Sequence, residues 1–247
     1  MNNQNPETSE KGFTLIELVI VIIIAGILAT VAVRKMTASI DTAKYEQTKK
    51  ELDQLAYAIA GNPDLYVEGT RTDFGYVGDV GALPPNLDAL VQNPGSYATW
   101  NGPYIDTGFG GDGFKRDGWN VLYTYTDTLI RSTGSGTDID KVFANSSADL
   151  LSNAVNGFVV DADNTMPGST YKDSLVIIFT YPNGSGSTTT VSVNPDAKGN
   201  FNFSGIPIGV RTLRVIYVPD TDTVSLTVGV TPGRTVKLPV IFPADLW

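Results

Sequence analysis

Between Phe13 and Val33 the chain is predominantly apolar, and its one ionisable side chain in that stretch is Glu17. At 1.5 Å per residue, a helix over this run is about 31 Å long, close to the hydrocarbon thickness of a bilayer. Such a run has to be covered by lipid or by other apolar helices. An ionised Glu at depth costs about 2–3 kcal/mol on insertion scales, and no Lys or Arg lies in the run to offset it. A cut after Gly12 would create the missing cation. Phe13 would then carry an ammonium, and Glu17, one helical turn further on, would be placed to meet the ammonium of a neighbouring copy. The alternative is an ordinary signal anchor, with Glu17 shallow enough to reach the headgroups. A cleaved secretory signal fits less well: the run is too long, the leader lacks a basic start, and no A-x-A-like site follows.

The motif around this carboxylate, Lys11-Gly12-Phe13-Thr14-Leu15-Ile16-Glu17-Leu18, resembles the processing site of type IV prepilins and type II secretion pseudopilins. The resemblance implies that a prepilin peptidase removes residues 1–12 and methylates the Phe13 nitrogen. It also implies that Phe13 and Glu17 set the register as copies join a helical homo-oligomeric filament on an inner-membrane assembly platform. The subunit would wait in the bacterial inner membrane with its head in the periplasm, then end in a periplasmic or extracellular fibre. Arg34 and Lys35 close the span on its polar side, and charge bias alone would hold that side in the cytoplasm. Long domains translocate largely regardless of charge, so the topology implied by the resemblance is preferred.

No proline interrupts the chain between Pro6 and Pro63, and Ala38, Ala43, Leu52, Leu55, Ala56 and Ile59 recur at helical spacing. One helix is therefore expected from residue 13 to about 60, stopped by Gly61-Asn62-Pro63. The fold class that follows is α+β: a long N-terminal transmembrane or filament-core helix, a small pilin-like α/β head over 61–154, and an all-β sandwich over 155–247.

In the head, Asn86 is a candidate cap for a short helix bearing Leu87, Leu90 and Val91. Asp117-Gly118-Trp119-Asn120-Val121-Leu122-Tyr123-Thr124-Tyr125 alternates as a half-buried strand does. Together with Trp100-Asn101-Gly102-Pro103-Tyr104-Ile105, this order is similar to the major pseudopilin of type II secretion from Phe13 to about Asp140. Gly118 and Asn120 stand where that family usually carries Pro and Gly. Trp100, Trp119, Tyr104, Tyr123 and Tyr125 are expected to pack the core rather than form a carbohydrate platform.

The resemblance also implies calcium in the loop after this strand. Here the loop reads Ser132-Thr133-Gly134-Ser135-Gly136-Thr137-Asp138-Ile139-Asp140, with Gly136 at an acidic position, which leaves Ser132, Asp138 and Asp140 as candidate ligands. Asp106, Asp112 and Asp117 are a second acidic group, or turn formers in a glycine-rich loop.

From residue 155 onward seven short runs alternate between turns: Gly157–Asp161, Leu175–Tyr181, Thr188–Val193, Asn200–Phe203, Thr212–Val218, Val224–Val230 and Thr235–Phe242. The stretch from Gly199 to Gly209 resembles carboxypeptidase-regulatory or transthyretin-like sandwiches, a fold that carries no ligand by itself. Phe158, Val160, Ile177, Phe179, Phe201, Phe203, Leu213, Val215, Leu226, Val228, Val240 and Phe242 are its expected core.

Composition narrows the function. A net charge of −9 disfavours nucleic acid as a partner. The absence of Cys and His removes disulfides, thiol nucleophiles and the commonest general base, and no G-x-S-x-G or Walker loop occurs, so an enzyme is not expected. The expected role is a structural filament subunit. The alternative is a minor or tip subunit, or an anchored adhesin, whose sandwich grips a surface, glycan or exported substrate.

Overall fold

The computed structural model describes residues 12–106 and 111–247, so the expected leader lies outside the described residues except for Gly12. The chain divides into one unit ending at Glu46 and a second, compact unit over Gln47–Trp247. Helix α1 runs from Leu15 to Ala60, as the periodicity predicts. In the first unit every residue from Gly12 to Ala43 is exposed. Among the described residues this is the one helix long and apolar enough to cross a membrane.

The second half of α1 behaves differently. Thr48, Leu52, Leu55, Ala56 and Ile59 follow one face and are buried, with Leu55 and Ile59 fully enclosed. The helix stops where expected. Gly61 takes a left-handed φ of 78°, and a Cβ there would sit 2.2 Å from the Asp73 carbonyl oxygen, so only glycine fits.

A two-residue hairpin follows, β1 (Tyr66–Val67) with β2 (Thr70–Arg71), and then helix α2 (Gly75–Val80). A 3-10 turn spans Leu87–Leu90, and Asn86 caps it through the Ala89 N–H at 3.2 Å. The strand expected over 117–125 is shorter. Asp117–Asn120 closes as a tight turn, with Asn120 N–H donating to the Asp117 carbonyl at 2.8 Å and Asn120 in the left-handed region. Strand structure is confined to β3 (Thr124–Thr126), which pairs antiparallel with β4 (Leu129–Ser132), and β4 pairs with β5 (Ile139–Val142). Helix α3 (Ser147–Leu151), capped by Ser146, leads into the sandwich.

All seven expected runs are strands: β6 (Asn153–Val160), β7 (Leu175–Pro182), β8 (Thr188–Val193), β9 (Asn200–Ile206), β10 (Gly209–Tyr217), β11 (Asp222–Val230) and β12 (Thr235–Ile241). Between β6 and β7 lies one turn of helix, α4 (Gly168–Tyr171). The strands form a four-stranded sheet, β11-β10-β7-β8, and a three-stranded sheet, β12-β6-β9, in which β12 and β6 run parallel. Between the sheets Val155, Val159, Ile177, Phe179, Phe203, Leu213, Val215 and Val240 make one apolar cluster, with Phe179 stacked on Phe203 at 5.3 Å. One core expectation fails. Phe158 is 44% exposed, because Val155, Gly157 and Val159 take the inward parity of β6 and turn Phe158 out beside Asn200.

The sandwich is keyed into the preceding segment. Ile208, in the turn between β9 and β10, is fully buried in the cluster that holds Leu55, Tyr76 and Leu90, and its N–H donates to Leu150 O at 2.9 Å. Arg211, 5% exposed, donates to Gly78 O at 2.8 Å, to Pro207 O at 3.3 Å and to Ile208 O. Burial pulls its pKa down to about 10, partly countered by Asp79. Gly184 N–H also donates to Val80 O, at 2.9 Å, from the sandwich to α2.

Candidate functional site

Two places hold the candidate residues. At the start of α1, Thr14 and Glu17 cap the helix reciprocally. The Thr14 N–H donates to Glu17 Oε2 at 2.8 Å, the Thr14 hydroxyl donates to the same oxygen at 2.9 Å, and Glu17 N–H approaches Thr14 Oγ1 at 3.3 Å. This is a capping box, in which two otherwise unpaired helix-start donors are satisfied by the side chain three residues away. Its signature, Thr-Leu-Ile-Glu before an apolar run, is legible in the sequence and marks the helix start at Thr14. The box gives the lone carboxylate partners within its own chain. Phe13 sits just upstream, 87% exposed, and Gly12 has open space around it.

The second place is the loop from Asp117 to Asp140. Asp117 is 5% exposed and accepts four hydrogen bonds: from Trp119 N–H and Val121 N–H on Oδ1, each at 2.9 Å, and from Ser132 Oγ at 2.6 Å and Gly134 N–H at 3.0 Å on Oδ2. Burial alone would raise its pKa, yet the bonds from Ser132, Val121, Trp119 and Gly134 outweigh it and hold the carboxyl below its ordinary value. The turn is tied to α1 as well. Gly118 N–H donates to Thr48 Oγ1 at 2.9 Å, and the Tyr123 hydroxyl donates to Glu51 at 2.7 Å. Gly134 lies so close to Asp117 that an added Cβ would sit 2.4 Å from Oδ2. Gly134→Ala is therefore expected to cost about 1–3 kcal/mol by overpacking, read as a lower urea midpoint at unchanged slope.

The aromatic residues pack rather than present a platform. Tyr123 is core, and Trp100, Tyr104, Trp119 and Tyr125 lie partly buried against the same cluster. Trp100 Nε1–H donates to Ala89 O at 2.9 Å, and the Tyr104 hydroxyl donates to Asp79 at 2.9 Å.

The candidate calcium ligands are placed together, but not as a metal site. Ser132 is fully buried and spends its proton on Asp117. Asp138 and Asp140 are both held by Arg131, through Nη1 to Asp138 at 2.9 Å and through Nε and Nη2 to the two Asp140 oxygens at 2.7 Å each. Arg131 thereby lowers the Asp140 pKa. Calcium needs six to eight free oxygens, and these residues do not fit it. The second acidic group is not gathered either: Asp112 pairs with Lys115 at 2.9 Å and Asp117 is enclosed as described. Residues 107–110 lie outside the described residues, and among those described no three metal-binding acids cluster.

Comparison with known proteins adds three findings. The family described as the prokaryotic N-terminal methylation motif matches residues 8–33. The chain is 32% identical over 95 residues to type II secretion system core protein G of Xanthomonas campestris pv. campestris. That match takes in 38% of this chain and spans 57% of the relative's length. Among solved structures, the dioxygenase domain of a dioxygenase and carbohydrate-binding fusion from Streptomyces sp. SirexAA-E is 11% identical, over 41% of this chain and 86% of that one, with a TM-score of 0.29. The major pilin subunit of Bacillus cereus is 15% identical, over 46% of this chain and 36% of that one, with a TM-score of 0.24. Scores this low carry no argument here. Residues 8–33 are thus similar to the N-terminal methylation motif, and the chain, which spans little more than half the length of core protein G, is similar to part of that protein.

Proposed function

We propose that the chain is a structural subunit that polymerises through α1 into a type IV pilus-like or type II secretion filament after a prepilin peptidase removes residues 1–12. The single observation that carries this reading is the surface of α1. From Phe13 to Val33 its Leu, Ile and Val side chains are exposed, Leu15 at 83% and Leu28 at 63%, while its only charge is capped at its first turn. Each large aliphatic side chain left in water forfeits about 1.5–3 kcal/mol of burial, so this surface requires lipid first and neighbouring helices afterwards. The family supporting this reading is structural rather than enzymatic.

In this scheme the inner membrane holds the subunit before assembly with residues 47–247 in the periplasm, and an assembly platform feeds it into a fibre. The motif also supports methylation of the Phe13 nitrogen, which keeps the ammonium charge while removing one of its donors. The test is intact-mass analysis of the protein purified from its own membranes. The expected species begins at Phe13 and carries one added methyl group. A chain still beginning at Met1 in sheared fibres would refute the processing step and the role built on it.

A further inference from the structure

We propose that Arg131 takes the place of a metal ion in the loop that joins β4 to β5, so that this loop closes without calcium. The inference stands whether or not the chain assembles into a filament.

Three observations meet at this residue. Arg131 and Asp140 are direct partners across the antiparallel β4–β5 pair, so the guanidinium projects from one strand onto the carboxylate of the other. It meets Asp140 in a bidentate fork, with both bonds at 2.7 Å, and its remaining nitrogen reaches Asp138 at 2.9 Å. One side chain therefore gathers both acids that flank the end of the loop. It does so with the planar, permanently charged group best matched to paired carboxylate oxygens.

The other half of the loop is closed from within. Ser132 and Gly134 both donate to the enclosed Asp117, whose two oxygens are thereby engaged by four donors in all. Ser135 and Thr137 bond one another. A divalent cation entering here would have to displace a fork of charge-assisted hydrogen bonds and would sit beside the permanent positive charge of Arg131. The loop thus carries its own +1 charge on a strand, fixed in register by the sheet.

The experiment is thermal unfolding of the full chain in detergent, in EDTA and in millimolar calcium chloride, for the native protein and for Arg131→Ala. The native midpoint is expected to agree within about 1 °C in the two solutions. Arg131→Ala is expected to melt about 1–4 °C lower in EDTA, and its loop to be cut several-fold faster by a protease. A calcium-dependent rise in the native midpoint of more than a few degrees, or saturable one-to-one calcium binding by the native chain, would overturn the proposal. So would an Arg131→Ala midpoint in EDTA equal to the native one. Should Arg131→Ala fail to accumulate, Asp140→Asn removes the same fork from the other side, and the native chain's indifference to calcium remains measurable.

Discussion

Glu17→Ala is expected to leave the protein in the membrane and to cut its recovery in sheared filaments by at least tenfold. Removing the only charge from the span makes insertion easier by about 2–3 kcal/mol on insertion scales, so loss of the subunit from the membrane is not the expected cause. What disappears is the acid that would meet the ammonium of an adjoining copy inside an apolar bundle. An unpaired ammonium left there costs several kcal/mol. The capping box supplies a control. Glu17→Gln keeps an acceptor for Thr14 N–H and so preserves the helix start, yet it carries no charge. If local capping were all that Glu17 does, the Gln variant would assemble normally and Ala would lose only about 1 kcal/mol of helix stability. If pairing with a cation governs register, both variants fail. Fractionated membranes and electron microscopy of sheared material, blotted for the subunit, decide between them. Fibres of native abundance in both variants would end the proposal.

Asp117→Ala is expected to destabilise the second unit by about 3–5 kcal/mol, or roughly 6–20 °C in midpoint. Four donors, from Trp119, Val121, Ser132 and Gly134, would lose their acceptor in an enclosed place, and each unsatisfied buried donor costs about 1–3 kcal/mol before relaxation. The turn so loosened also carries Gly118 onto Thr48 and, three residues on from Asn120, Tyr123 onto Glu51, so α1 would lose its grip on this segment together with the loop. The same carboxylate sets an acid limit. Its folded pKa lies below the unfolded value of 3.8, so the stability it contributes is fully present above about pH 5 and fades as pH falls through the folded value. In Asp117→Ala this acid-sensitive part of the profile should be missing. Circular dichroism melts between pH 3 and pH 7 measure both effects, and a midpoint within 2 °C of the native one would contradict the bonding described.

The sequence was informative where one periodicity acted alone. The long helix and its end at Gly61 follow from spacing and a single backbone requirement. The seven strands of the sandwich follow from alternation between turn residues. Phe158 shows the limit of that signal: in a strand with apolar residues on both parities, only the sheet partner decides which side faces inward, and Gly157 inside is chosen by Phe201 across the pair. The shortened strand before Thr124 has a similar origin, since the Asp117 side chain captures the amides of 119 and 121 before a neighbouring strand can. Counting acids in the calcium loop missed the adjacent cation for the same reason. Arg131 and Asp140 are nine residues apart in sequence and become partners only through hairpin register.

With Ile208 seated among the residues around Leu55, and Arg211 anchoring the end of α2, the appended sandwich shares a core with the segment that precedes it. Within residues 47–247 the two halves should therefore come apart together on unfolding, as one cooperative block rather than as two modules melting in turn.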